Sequence, residues 1–176
     1  MKESESKACT SSSSNISFCE HYKNMLVEEI ALVEHPAHGH YGKCSVIGRL
    51  SCTGDKLESL SVPDLPPALQ LPDGTSSVEL CLDNYCGSIR EGSHVEITGI
   101  LKYRNIYTGV TTDSGMLRSN LQCDDETKSK QRYSEMQTRY VPFIEVDHIR
   151  TVTRARELIS CNLRLRKLAM CKRLNR

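Results

Sequence analysis

A chain of 176 residues has room for one hydrophobic core with tails and hardly for two, so a single fold is expected. With 38% apolar and 26% charged residues it suits a soluble globular protein; no window approaches the roughly 20 apolar residues of a membrane span, and the polar, Ser-rich start argues against an export signal. The net charge of +1 hides a separation, because residues 149–176 carry nine Lys and Arg against one acid, Glu157, which leaves 14 bases and 21 acids before them.

Residues 1–18 offer almost nothing to bury and read as a disordered Ser-rich tail. Between Cys19 and Leu32, the spacings of Tyr22, Met25, Leu26, Glu29 and Ile30 suggest a helix, broken by Pro36 and Gly39. Gly42–Leu50 then alternates as a first strand, with Cys44, Val46, Gly48 and Leu50 on one face and Lys43, Ser45, Ile47 and Arg49 on the other. The turn residues Thr53-Gly54-Asp55 precede a second strand over Lys56–Val62, and a proline-rich loop follows from Pro63 to Gly74. Ser76–Leu82 is the third strand, joined by an irregular or helical connection over Asp83–Gly92 to the fourth, Ser93–Tyr103, where Val95, Ile97, Gly99 and Leu101 share a face. Gly48 and Gly99 inside strands mark bends or bulges of a curved barrel.

Residues 104–139 are polar and lack a core pattern, so they read as a partly disordered insertion. The fifth strand spans Tyr140–Ile149, with Val141, Phe143 and Glu145 opposed to Ile144, Val146 and His148, and Pro142 implies an edge or bulge. A helix capped by Thr151 or Thr153 runs from there to about Arg173, with Leu158, Cys161, Leu165 and Leu168 at spacings of three and four and Val152 beside them.

Nine cysteines are an odd number without a CxxC pair, so they read as small apolar residues kept reduced in nucleus or cytosol. His35, His38 and His40 have a spacing that could hold a metal but lie in a turn without supporting ligands, and exposure is the simpler reading. No metal or cofactor is expected. The sequence contains no P-loop, GxGxxG, HExxH or GxSxG motif, so no argument for catalysis arises.

Five short strands, a long connection between the fourth and fifth, and a helix after the last is the layout of an oligonucleotide/oligosaccharide-binding (OB) fold. The expected class is therefore mainly β, a five-stranded OB-fold barrel with a C-terminal α-helix. Its parts are the tail (1–18), the barrel (19–150, with the long loop 104–139) and a basic amphipathic helix (151–176). Gly92, Val95, Ile97, Gly99 and Leu101, followed by the Leu158, Cys161, Leu165 and Leu168 stripe, resemble the middle subunit of replication protein A and the small telomere-capping OB subunits of the Stn and Ten type. Size, layout and the Ser-rich start are also similar to a small subunit of the fly terminin capping complex. The resemblance implies a nuclear, chromosome-end location. It also implies partners, namely a second OB-fold protein bound through the C-terminal helix and other telomere-capping or chromatin proteins.

An OB groove binds single strands with cations and stacking rings. Lys43, Arg49, Lys102, Tyr103, Arg104 and Tyr107 are the residues expected to supply them, against the plainer reading that the cations are solvated and the tyrosines seal the barrel mouth. With no Trp and an acidic body, single-stranded DNA contact is expected to be shared with a partner. Val152, Leu158, Cys161, Leu165 and Leu168 form the expected partner-binding stripe, against packing on the chain's own barrel. The rival function is an autonomous single-stranded nucleic-acid binder in replication or repair.

Overall fold

The computed structural model describes residues 22–31, 42–60, 76–113 and 126–174. The Ser-rich start, the three histidines of the early turn and the proline-rich loop fall outside these residues. The strands are β1 (Lys23–Met25), β2 (Lys43–Leu50), β3 (Lys56–Glu58), β4 (Ser77–Cys81), β5 (His94–Asn105), β6 (Thr111–Asp113) and β7 (Tyr140–Thr151); the helices are α1 (Val27–Ala31), α2 (Glu126–Arg139) and α3 (Ala155–Leu174).

Five of the strands close on themselves. β2 pairs antiparallel with β3, β3 with β4, β7 with β5, and β5 with β2, while β4 and β7 run parallel. The ring β2-β3-β4-β7-β5 has no open edge, which is the barrel that the five predicted strands require. β1 joins β2 in parallel beside Cys44–Val46, and β6 forms a hairpin with the end of β5, extending the sheet to seven strands.

The alternation predicted for β2, β4 and β5 is the one observed. Cys44, Val46, Leu50, Leu57, Val78, Leu80, Val95, Ile97, Leu101, Tyr103, Ile144 and Val146 all point into one core. Met25, Val27 and Ile30 close it from the N-terminal side, and Met136 reaches it from α2. Each such apolar side chain, fully buried, is worth about 1.5–3 kcal/mol relative to exposure. Ile47, of opposite parity to Val46, lies outside the barrel, where Val152, Leu158, Leu60 and Cys161 cover it. This second cluster seats α3 on the outer face of β2.

The two strand glycines mark bends. At Gly48 β2 passes from β1 toward β3, and a Cβ there would stand 2.6 Å from the Glu58 carbonyl oxygen. At Gly99 the β5–β7 register shifts, and a Cβ would stand 2.2 Å from the Glu145 carbonyl oxygen. The same shift corrects the expectation for the fifth strand. Gly99 pairs with Val146 and Thr98 with His148, so Asp147 is an extra residue and inverts the facing beyond it. His148 is consequently exposed, and Ile149 packs against the core in its place. Pro142 pairs with Tyr103 on one side but precedes the β4 contact that begins at Phe143, so its other side has no ladder to break.

Two further expectations change. In the described part of Cys19–Leu32, the helix is a three-residue strand followed by the short α1, because pairing with β2 claims Lys23–Met25. The connection Asp83–Gly92 takes the irregular of the two forms expected for it. The insertion 104–139 contains β6 and α2, and its pattern escapes notice because, among the described side chains of α2, Met136 is the one apolar residue found in the core.

Candidate interaction surfaces

On the outward face of the barrel, Lys102 and Arg104 alternate with the inward Leu101 and Tyr103. Lys102 forms an ion pair with Glu145 on the neighbouring β7, and this hydrogen bond raises the Lys102 pKa above its ordinary value. Arg104 pairs with Glu79 of β4 and lies 5.8 Å from the centroid of the Phe143 ring. Glu145 also accepts a 2.7 Å hydrogen bond from the Asn84 amide. Acids across the ladder thus neutralise two of the four cations expected to hold phosphates. Tyr103 is 5% exposed and belongs to the core, so the expectation that it stacks on a base is corrected: strand parity turns its ring inward.

The other expected contacts are scattered. Lys43 lies over the Tyr22 ring, 5.7 Å from its centroid, and Arg49 is exposed at the far end of β2, opposite Glu58 and His94. Tyr22 donates a 3.1 Å hydrogen bond to Asp147, and burial together with that bond raises its pKa. Tyr107 is 76% exposed at the tip of the β5–β6 hairpin. The Asn105 side chain holds this turn by accepting from the Tyr107 and Thr108 amides at 2.9 and 3.2 Å, and Gly109 closes it with φ +70°. Of the six residues named for one groove, Lys102 and Arg104 share an outward face, Tyr103 lies inside the core, and Arg49 and Tyr107 lie apart at the end of β2 and the tip of the hairpin.

α3 has two faces. Its start is fixed by a chain of polar contacts in which the Ser45 hydroxyl donates to Glu96 at 2.8 Å, and Arg150 donates to both Glu96 and Glu157 at 2.8 Å. Burial raises the Glu96 pKa, but the hydrogen bonds from Ser45 and Arg150 outweigh it and hold the carboxyl below its ordinary value. Leu158 and Val152 are buried against Ile47, with Cys161 beside them. Further along, Asn162 and Arg166 are both buried; Arg166 donates to the Asn162 side chain at 2.7 Å and forms an ion pair with Glu28 of α1. Glu29, the next residue of α1, accepts a 2.9 Å hydrogen bond from the Leu26 amide and so caps its own helix.

The expected partner stripe is therefore corrected in its first three members. Val152, Leu158 and Cys161 pack on the chain's own barrel, because the outward Ile47 supplies an apolar seat for them. Leu165 is half-buried, and Leu168 is 49% exposed. Sequence reasoning missed Asn162 and Arg166, whose polar side chains conceal their place on the inner face. The opposite face carries a shallow groove of about 470 Å³ lined by Ser160, Leu163, Arg164, Lys167, Leu168 and Cys171. A smaller cavity of about 310 Å³ lies between the barrel and the ends of α1 and α2, lined by Lys56, Ser77, Glu79, Gln137 and Tyr140 among others. Among the described residues no group of three or more His, Cys, Asp or Glu side chains is placed to hold a metal.

Two comparisons with known proteins bear on this arrangement. The family described as Modigliani telomere protection protein matches residues 20–169. Protein modigliani of Drosophila melanogaster is 29% identical over 161 residues, covering 86% of this chain and 90% of that protein. The matched range includes every element from β1 to β7 and most of α3.

Proposed function

We propose, from the premise that this chain belongs to the Modigliani telomere protection protein family, that it is a non-enzymatic subunit of a chromosome-end-capping complex and acts through protein contacts. In this reading a second OB-fold protein pairs with the C-terminal helix, other capping or chromatin proteins meet the barrel, and the site of action is the nucleus. Single-stranded DNA is held jointly with a partner. The observation that carries the reading is the pairing of Lys102 with Glu145 and Arg104 with Glu79, with Tyr103 buried beneath. The two expected cations on β5 already have carboxylate partners and so gain little from phosphates, since release of counterions needs free positive charge.

Light scattering of the purified chain, alone and with a single-stranded oligonucleotide, tests this. No change in mass with DNA is the expected result. A monodisperse monomer that gains the mass of the oligonucleotide, and loses it steeply as salt rises, would overturn the reading and make the chain an autonomous binder.

A further inference from the structure

Four cations of the fold are already neutralised, since Lys102, Arg104, Arg150 and Arg166 each face a carboxylate. The outward face of α3 differs in this respect. We infer that this face makes a backbone contact with duplex DNA, in which exposed cations meet phosphates without reading bases. The choice of a duplex and of phosphates comes from the face itself; only the choice of DNA over RNA rests on the chromosome-end reading.

Arg156, Ser160, Arg164 and Lys167 follow one another at intervals of four, four and three, which sets them in one row roughly 16 Å long on the outer side of α3. All four are exposed, and none of the three cations has an ion-pair partner among the described residues. Glu157, the one acid of the helix, is tied to Arg150. Arg, Lys and Ser are side chains that hold phosphate oxygens.

The middle of this face decides against a protein. Centres of protein interfaces are depleted of charge and filled by large anchors in dry pockets, whereas here Arg164 and Lys167 hold the middle and Leu163 and Leu168 stand to either side. A single strand is held by stacking as well as by charge, and α3 contains no aromatic residue. A duplex needs no ring. It presents one negative charge per about 1.7 Å of axis, twice the density of one of its strands, in a fixed array along which a rigid helix can lie. Such a contact carries no sequence information, because phosphates are alike at every step. Three cations hold weakly by themselves, so within a complex the contact adds to those of a partner through proximity. Ile159 and Leu168, 46% and 49% exposed and off the row, are left for that partner.

The test uses the full chain and a fluorescein-labelled duplex of mixed sequence, read by anisotropy over a series of KCl concentrations. Three phosphate contacts predict that the logarithm of the binding constant falls with that of salt at a slope of about −2.7, and Arg164→Gln with Lys167→Gln should bring the slope to about −0.9. Lys102→Gln, which removes a cation already paired, should leave it as it is. Unlabelled duplex should displace the probe at lower concentration than oligo-dT or poly-Glu of equal charge. Circular dichroism melting checks that the variants keep the fold. A slope that the helix variant leaves unchanged, or that Lys102→Gln flattens equally, overturns the inference. Absence of duplex binding at low salt does so too, as does stronger displacement by poly-Glu, which would give the face to an acidic protein. The capping reading stands in each of these cases. Preferential displacement by oligo-dT overturns the inference and the capping reading together, because it makes the chain an autonomous single-strand binder.

Discussion

Gly99 sits where β5 shifts register against β7, and the space beside its Cα is filled by backbone. A methyl group there would come within 2.2 Å of the Glu145 carbonyl oxygen and 2.8 Å of an Ile144 side-chain carbon. Neither neighbour can swing aside as the end of a long side chain could. Gly99→Ala should therefore lower stability by about 2 kcal/mol or more, seen as a fall in the urea midpoint at constant slope. Gly92, at φ +69° with nothing within 4 Å, should cost only about 1 kcal/mol when changed to Ala, through backbone conformation alone. Equal losses at the two sites would refute the close-approach argument. The tyrosines separate in the same manner. Tyr103→Ala removes a core ring and should cost about 3 kcal/mol, whereas Tyr107→Ala at the exposed hairpin tip should stay within about 0.5 kcal/mol. Any loss of nucleic-acid crosslinking in a Tyr103 variant has to be read against that unfolding. The Cys44 thiol reports the same interior: burial, with a contribution from Asp147, pushes it up to about 12, and it should resist alkylation until the barrel opens.

At the scale of elements, α1 and α3 are joined by an interaction that hydrophobic periodicity cannot reveal. Glu28 and Arg166 form an ion pair with both side chains 5% exposed, and Asn162 accepts one further Arg166 donor. Two charges removed from water are strongly interdependent, since each alone would lack compensation. Glu28→Gln should therefore cost about 3 kcal/mol and loosen α3 from α1, measured by denaturation and by faster amide exchange along Asn162–Arg166. Glu28→Leu combined with Arg166→Met removes both charges and should cost less than either change alone. A double variant as damaging as the sum of the two singles would show that the residues do not act as a pair. Because half of the inner face of α3 is polar, its seat depends on one partner at one position. That is a means of fixing where the helix lies, which in turn decides which side chains face outward.

For the whole molecule, the barrel was legible in the sequence and the surfaces were much less so. Alternation separated the two faces of β2, β4 and β5 because every side chain on the inward face meets the same core. It lost the far end of β7 because one inserted residue, Asp147, reverses all that follows, and nothing in the composition of a strand announces such a residue. The candidate site failed for a related reason: whether Lys102 or Arg104 is free depends on Glu145 and Glu79, which lie on strands distant in sequence. The same cross-strand placement of acids sets the response of the fold to pH. Glu96 joins β5 to Ser45 on β2, to Arg150 on β7 and, through Arg150, to Glu157 on α3. Its carboxyl titrates below the ordinary 4.5 in the folded chain, so the folded state binds fewer protons than the unfolded chain in that range. The stability it contributes is fully present above 4.5 and is lost as pH falls through the lower folded value. Asp55, lowered chiefly by the Thr53 hydroxyl, adds a loss of the same sign. The urea midpoint should thus stay level from about pH 7 to about pH 5 and fall below that. Glu96→Gln should be less stable at neutral pH yet fall less on acidification, because the amide has no proton to take up. An equally steep fall in this variant would place the acid sensitivity in other carboxylates and leave Glu96 as a hydrogen-bonding strut whose charge contributes nothing.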